Sequence, residues 1–277
     1  SHIYSFMAKI DFVKMHGLGN DFVIIDNRKN DLKISKEIIN KLSDRKSGAG
    51  CDQLITINPS LNLGDDVSIN IFNPNGDEAE ACGNGTRCVA KLLFKETNKN
   101  SLIIKSEAGI LHANKKGDDI SVNLGKCSTD WKKIPLAKKV NTLNMPIKIE
   151  NFSNGIAVNV GNPHIVFFGK NIEKVNLSQT GPEIENNELF PNKTNVEIIE
   201  IINKQKIKMR VWERGAGITL ACGSGACASV YAGMLKKILD KNVEVVLERG
   251  SLHIEIINDE AIMSGPAEIS FQGNIEI

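Results

Sequence analysis

The chain has 277 residues, enough for one large domain or two of ordinary size, and its 41% hydrophobic content can build a core without disulfides or metals. A net charge of +1 and an aromatic content of 5% argue against nucleic acid, an anionic membrane surface or a base-stacking platform as partners. No apolar run reaches the length of a membrane span, and Ser1 to Met7 lack the layout of a signal peptide, so a soluble cytoplasmic protein is expected.

Along the chain, Gly19-Asn20-Asp21-Phe22-Val23 is the first landmark. Val67–Phe72 alternates apolar and polar residues as a half-buried strand does, and a loop leads from it to the turn Cys82-Gly83-Asn84-Gly85. The apolar residues Val89, Ala90, Leu92, Leu93 and Phe94 then predict a helix. Short strands follow over 102–105, 110–113 and 120–124, with Gly117-Asp118-Asp119 as turn chemistry between them. The polar stretch Cys127–Asn144, which contains Pro135, reads as a linker.

Beyond the linker the same order returns. Gly161-Asn162-Pro163-His164-Ile165 matches the first landmark loosely, and the strand Ile207–Trp212 stands where Val67–Phe72 stood. Cys222-Gly223-Ser224-Gly225 repeats the cysteine turn at an offset of 140 residues. A helical pattern through Val230, Tyr231, Met234, Leu235, Ile238 and Leu239 comes next, then strands over 243–247, 252–257 and 261–263. Landmarks kept in one order at a nearly constant offset indicate an internal duplication.

The expected fold is therefore α+β, with two homologous domains related by a pseudo-twofold axis. Each is a strand-rich, mostly antiparallel, barrel-like sheet around a central helix, and the active site is expected in the cleft between them. The domains are placed at residues 1–126 plus 266–277 and at residues 127–265.

The six cysteines include no Cys-x-x-Cys pair and none with a histidine at zinc-like spacing, so no metal site is expected. A lone cysteine is most often a small buried hydrophobe. Cys82 and Cys222 differ from the others in being kept at the same turn of both copies. Each is expected to start a helix, where dipole and unpaired N–H groups can lower a thiol pKa from about 8.5 to roughly 3.5–7.5. Inverting a stereocentre through a carbanion needs a base on one face and an acid on the other, and a duplicated cysteine can supply both. The turn N–H groups of Gly83, Asn84, Gly223 and Ser224 suit a carboxylate. A phosphate is the competing ligand, although no Lys-Ser/Thr follows as in a P-loop. A redox-sensing disulfide or a metal-storage site is the reading from a different class.

A series of motifs then brings a family into view: Met15-His16-Gly17-Leu18-Gly19-Asn20-Asp21-Phe22, Asp52-Gln53-Leu54, Phe72-Asn73-Pro74-Asn75-Gly76, Cys82 to Cys88, Gly161-Asn162-Pro163-His164, Glu213-Arg214-Gly215-Ala216-Gly217 and Ala221 to Gly225. From about Ile10 to the C-terminus the chain closely resembles the diaminopimelate epimerases. The resemblance implies cofactor-independent epimerisation of LL- to meso-diaminopimelate, a step of lysine and peptidoglycan-precursor biosynthesis, and a homodimer. It also implies that Cys82 and Cys222 are the acid/base pair and that Gly83-Asn84 and Gly223-Ser224 hold the reacting carboxylate. Asn20, Gln53, Asn73, Asn162, Asn195, Glu213 and Arg214 are implied to bind the rest of the substrate. His164 stands at the copy position of Phe22 or Val23 and is expected to support the site. One departure is Ile218, where the family usually has a glutamate. A proline or hydroxyproline racemase-type epimerase is the alternative of the same architecture, and a phenazine-type isomerase relative is expected to lack the cysteine pair.

Overall fold

The computed structural model describes residues 9–79 and 83–277; Cys82 therefore lies outside the described residues. The chain divides into two compact units, one running to Ile120 and taking in Pro266–Ile277, the other Ser121–Gly265.

In the first unit, β1 (Lys9–Gly17) and β2 (Asn20–Asp26) form an antiparallel hairpin. α1 (Lys36–Ser43) follows, capped by Ser35, whose hydroxyl accepts the Ile38 N–H at 3.3 Å. β3 (Gln53–Pro59) lies parallel to β2, and β4 (Val67–Phe72) returns antiparallel to β3. The alternation seen in the sequence is realised in β4, where Val67, Ile69 and Ile71 are buried. The short β5 (Glu78–Ala79) pairs back on β4. α2 (Gly83–Glu96) packs against β1 and β2 and against β7 (Gly109–Lys116), which pairs with β6 (Ser101–Ser106). Gly85 lets this helix approach the sheet, since a Cβ there would stand 2.8 Å from the Ile55 side chain. The last strand of the chain, Glu268–Glu276, completes the unit antiparallel to β1.

The second unit begins within β8 (Asp119–Lys126) and repeats the pairing scheme. β9 (Ile156–Asn159) is antiparallel to β10 (Pro163–Phe168); after α3 (Leu177–Glu185), β11 (Asn195–Asn203) lies parallel to β10 and β12 (Lys206–Glu213) antiparallel to β11. β13 (Gly217–Ile218) folds back on β12, and α4 (Gly223–Leu235) then runs through the middle of the unit. It packs against β9, β10, β11 and the strands β15 (Gly250–Ile257) and β16 (Glu260–Gly265), while β14 (Asn242–Leu247) joins β12 to β15. Its sequence, Gly-Ser-Gly-Ala-Cys-Ala-Ser-Val-Tyr-Ala-Gly, is buried nearly throughout, so small residues let strands close on every side. A strand-rich α+β architecture with a helix inside each unit is the result.

Two readings need correction. Residues 127–144 are not a linker: Ile134 and Leu136 are buried in the core of the second unit with Met145, Ile147, Phe167 and Leu177. Burying such a side chain stabilises by roughly 1.5–3 kcal/mol, so the segment is held in place by its scattered apolar residues. The apolar pattern after Cys222 also outlasts its helix. Lys237 takes φ 60°, and Ile238 and Leu239 turn back to donate N–H groups to Gly233 O.

Candidate active site

In the second unit the polar groups gather where α4 starts. Cys222 is the N-cap residue, with extended backbone, and its Sγ accepts the Gly225 N–H at 3.3 Å. It takes up one of the N–H groups that a helix start leaves without an internal partner. Ser224 Oγ lies 3.7 Å from the same sulfur. The placement at a helix start agrees with the sequence, and burial opposes the lowering of pKa that such a start can give. Burial raises the Cys222 thiol well above its ordinary pKa, and the Glu213 and Glu197 carboxyls raise it further. The Gly225 N–H and the Ser224 hydroxyl pull the other way and are outweighed. The net direction is upward.

Glu213 ends β12. Burial raises its carboxyl pKa, against the pull of the neighbouring Thr219 and Cys222. The Glu213 carboxyl and the Cys222 thiol therefore stand side by side as hydrogen-bonding partners, so the carboxyl is placed to exchange a proton with the sulfur.

Behind Cys222 runs a buried polar chain. Asn162 Nδ2 donates to Ser224 Oγ at 3.2 Å, and Asn162 Oδ1 is 2.8 Å from His164 Nε2. His164 Nδ1 is 2.7 Å from Glu197 Oε1, and neither side chain has any exposure to solvent. His164 thus links Asn162 to Glu197 in this chain. Asn195 is tied to backbone at both ends of its amide, donating to Pro163 O at 2.9 Å and accepting the Arg214 N–H at 2.8 Å. It fixes the turn that carries Arg214, whose guanidinium donates to Asn192 O at 3.2 Å. Ile218 is 51% exposed and pairs with Trp212.

The first unit repeats the arrangement. Asn20 opens β2, Gln53 opens the parallel β3, Asn73 follows β4, and Gly83-Asn84 opens α2. Asn162, Asn195, Glu213 and Gly223-Ser224 hold the matching positions around β10, β11, β12 and α4. Asn84 Nδ2 donates to Asn20 Oδ1 at 3.1 Å, Asn20 Nδ2 to Asp52 Oδ2 at 2.9 Å, and Gln53 Nε2 to Asn73 Oδ1 at 3.2 Å. Arg87, fully buried in α2, donates to Asn84 Oδ1 and to Pro266 O. These bonds fix which way each amide points.

Beneath Asn20 sits an ion network. Asp21 accepts from Arg45 at 2.8 and 2.9 Å and pairs with the buried Lys14 at 3.0 Å, and Arg45 also reaches Asp52 at 2.9 Å. Burial alone would raise the Asp21 carboxyl, but the bonds from Arg45, Lys14 and the Asp52 N–H outweigh it and hold the pKa far below the usual carboxylate range.

Of the predicted residues among those described, Asn162, His164, Glu213, Cys222 and Ser224 come together where α4 starts and Asn20 and Asn84 where α2 starts, while Gln53 and Asn73 bond to each other and Asn195 to the Arg214 turn. Sequence reasoning missed Glu197, Asp52 and Arg87 as supports. For Glu197 a signal existed: it is a lone charge in the apolar run Asn195-Val196-Glu197-Ile198-Ile199, where nothing but a buried partner makes a carboxyl tolerable. Among the described residues, no group of three or more His, Cys, Asp or Glu side chains is placed to hold a metal ion.

The family model described as Diaminopimelate epimerase matches residues 12–129 and 156–270. A diaminopimelate epimerase of Pelagibacter ubique is 43% identical over 271 residues, covering 95% of this chain and 98% of its own. Another, of Sphingopyxis alaskensis, is 43% identical over 266 residues, covering 96% of this chain and 97% of its own. Among solved structures, a phenazine biosynthesis protein of the PhzF family from Enterococcus faecalis superposes with a TM-score of 0.70 at 14% identity, over 98% of this chain and 100% of that one. A hydroxyproline epimerase from Agrobacterium vitis, with bound trans-4-hydroxy-L-proline, gives 0.65 at 10% identity, over 97% and 93%. At such identities these two structures show the shared fold alone.

Proposed function

The chain belongs to the diaminopimelate epimerase family, and from that premise we propose that it interconverts LL- and meso-diaminopimelate with protein side chains alone, Cys82 and Cys222 serving as acid and base on opposite faces of the α-carbon. It is an isomerase. The observation that carries the chemistry is Cys222: a buried thiol at a helix start with the Glu213 carboxyl beside it.

Inversion through a planar carbanion needs a proton removed from one face and another delivered to the opposite face. In the direction in which Cys222 delivers, its raised pKa is an advantage, because the sulfur holds a proton to give. In the reverse direction the sulfur must first lose that proton, and Glu213 is the group placed to take it. Charge developing on the reacting carboxylate is met by N–H groups where α2 and α4 start, at Gly83-Asn84 and Gly223-Ser224. Asn20, Gln53, Asn73, Asn162 and Asn195 offer donors and acceptors to the substrate's ammonium and carboxylate groups, and Arg214 pairs with the distal carboxylate. A two-ended substrate is selected because one lacking the far end leaves these groups unpaired.

We also place the working enzyme in the cytoplasm as a homodimer. Among the described residues no helix is long and apolar enough to cross a membrane.

The test is a direct competition of substrates. Turnover is expected with LL-diaminopimelate and not with L-proline or trans-4-hydroxy-L-proline. Turnover of the ring amino acids without the diamino-diacid would overturn the assignment.

A further inference from the structure

Glu197 belongs to none of the residues that the epimerase motifs point to, yet it is the most thoroughly buried acid near Cys222. It lies on β11, diagonal to His164 on the parallel neighbour β10, where Val166 is its direct partner and Asn195 is that of His164. Residues 164 and 166, and 195 and 197, share a face, so both polar side chains point toward the start of α4. Gly225 leaves the room they need: a Cβ at that position would stand 2.7 Å from Glu197 Oε1. Glu197 Oε2 has no hydrogen-bond partner among the described residues. A buried carboxyl with one oxygen unpaired is costly, and it is retained here where its other oxygen meets a histidine.

The bonding pattern along the chain has one consistent reading. Asn162 turns its amide nitrogen to Ser224, so its oxygen faces His164 Nε2. An amide oxygen only accepts, so Nε2 must carry hydrogen. His164 Nδ1 and Glu197 Oε1 then hold one proton between them, on either atom. We propose that Glu197 is a positioning residue that fixes the Nε2–H form of His164, and through Asn162 sets the Ser224 hydroxyl beside the Cys222 sulfur. Burial raises the Glu197 carboxyl pKa against the opposing pull of His164, which favours the neutral acid donating to Nδ1. Without that donor the imidazole is free to move its hydrogen to Nδ1. Nε2 then has no hydrogen for Asn162 Oδ1, the amide turns over, and the ordered contact to Ser224 is lost. The titratable groups on this cluster are Glu197, His164, Glu213 and Cys222, and each acts electrostatically or by a hydrogen bond on another of the four.

The consequence for turnover rests on the epimerase reading above; the tautomer does not. The experiment therefore combines ¹⁵N NMR of the His164 ring, without substrate and near neutral pH, with kinetics of Glu197→Gln and Glu197→Leu. Wild type is expected to show a protonated Nε2. Gln, which can still donate to Nδ1, should keep that signature and keep kcat within about threefold. Leu should give a mixed or Nδ1–H ring and lower kcat at least ~10-fold with KM changed less, as a wrong tautomer does elsewhere. An unprotonated Nε2 in wild type overturns the proposal by itself, even where the Leu variant fails to fold. So does a Leu variant with the wild-type ring signature and kcat. Wild-type protein with the expected ring but no turnover of diaminopimelate overturns the epimerase reading and leaves this one standing.

Discussion

Gly225 donates its N–H to the Cys222 sulfur at 3.3 Å, and the same glycine has no space for a side chain. A Cβ there would stand 3.2 Å from that sulfur and 2.7 Å from Glu197 Oε1. The N-cap bond and the buried Glu197 thus share one small residue. Gly225→Ala should destabilise the protein by about 1–3 kcal/mol through overpacking and should lower kcat by displacing the sulfur. Urea denaturation and steady-state kinetics check it; unchanged values of both would show that the cluster is looser than described.

Glu213 raises the Cys222 thiol by its charge, second to burial. Glu213→Gln is therefore expected to lower the thiol pKa while reducing kcat by roughly 10²–10⁴, because the group that receives the sulfur's proton is gone. Peptide-resolved alkylation of Cys222 against pH measures the first effect. A midpoint unmoved or displaced upward contradicts the assigned contact.

Asp21 predicts behaviour in acid. Its folded pKa is depressed, so its contribution is complete above the unfolded value of 3.8 and is lost as pH falls through the lower folded value. Asp21→Asn also strips the buried Lys14 of its carboxylate and should cost about 3 kcal/mol at neutral pH. In paired denaturation curves the gap between wild type and variant should hold constant to near pH 4 and narrow only below it. A gap that narrows between pH 7 and 5 would contradict the depressed pKa.

Asn195 ties Pro163 O to the Arg214 N–H through one amide. Asn195→Ala should loosen the Arg214 turn and raise KM about tenfold, equivalent to ~1.4 kcal/mol, with a smaller change in kcat. Measuring both constants separates this from a general loss of folding, which lowers active-enzyme concentration and leaves KM alone.

The strands that alternate cleanly, such as Val67–Phe72 and Ile207–Trp212, could be read from the sequence because one face is buried and the other is not. So could the two cysteine turns, since glycine after cysteine recurs at a fixed interval. The segment 127–144 could not, because its core contacts come from isolated residues such as Ile134 and Leu136 between turns, with no period to detect. The direction of the Cys222 thiol pKa was not legible for a related reason: a helix start is visible in sequence, whereas the burial of Cys222 and the approach of Glu213 and Glu197 arise only on folding. The supports Asp52 and Arg87 were likewise hidden, their roles being set by what lies across from them.

Solvent deuterium tests the two-thiol account most directly. LL-diaminopimelate incubated with the enzyme in deuterated water should give, at early turnover, meso product labelled at a single α-carbon. Recovered LL substrate should stay unlabelled, because the thiol that takes a proton returns the same one. Label entering substrate and product at equal rates would point to a single base exchanging with solvent, and a product without label would mean that the reaction does not pass through proton exchange at all.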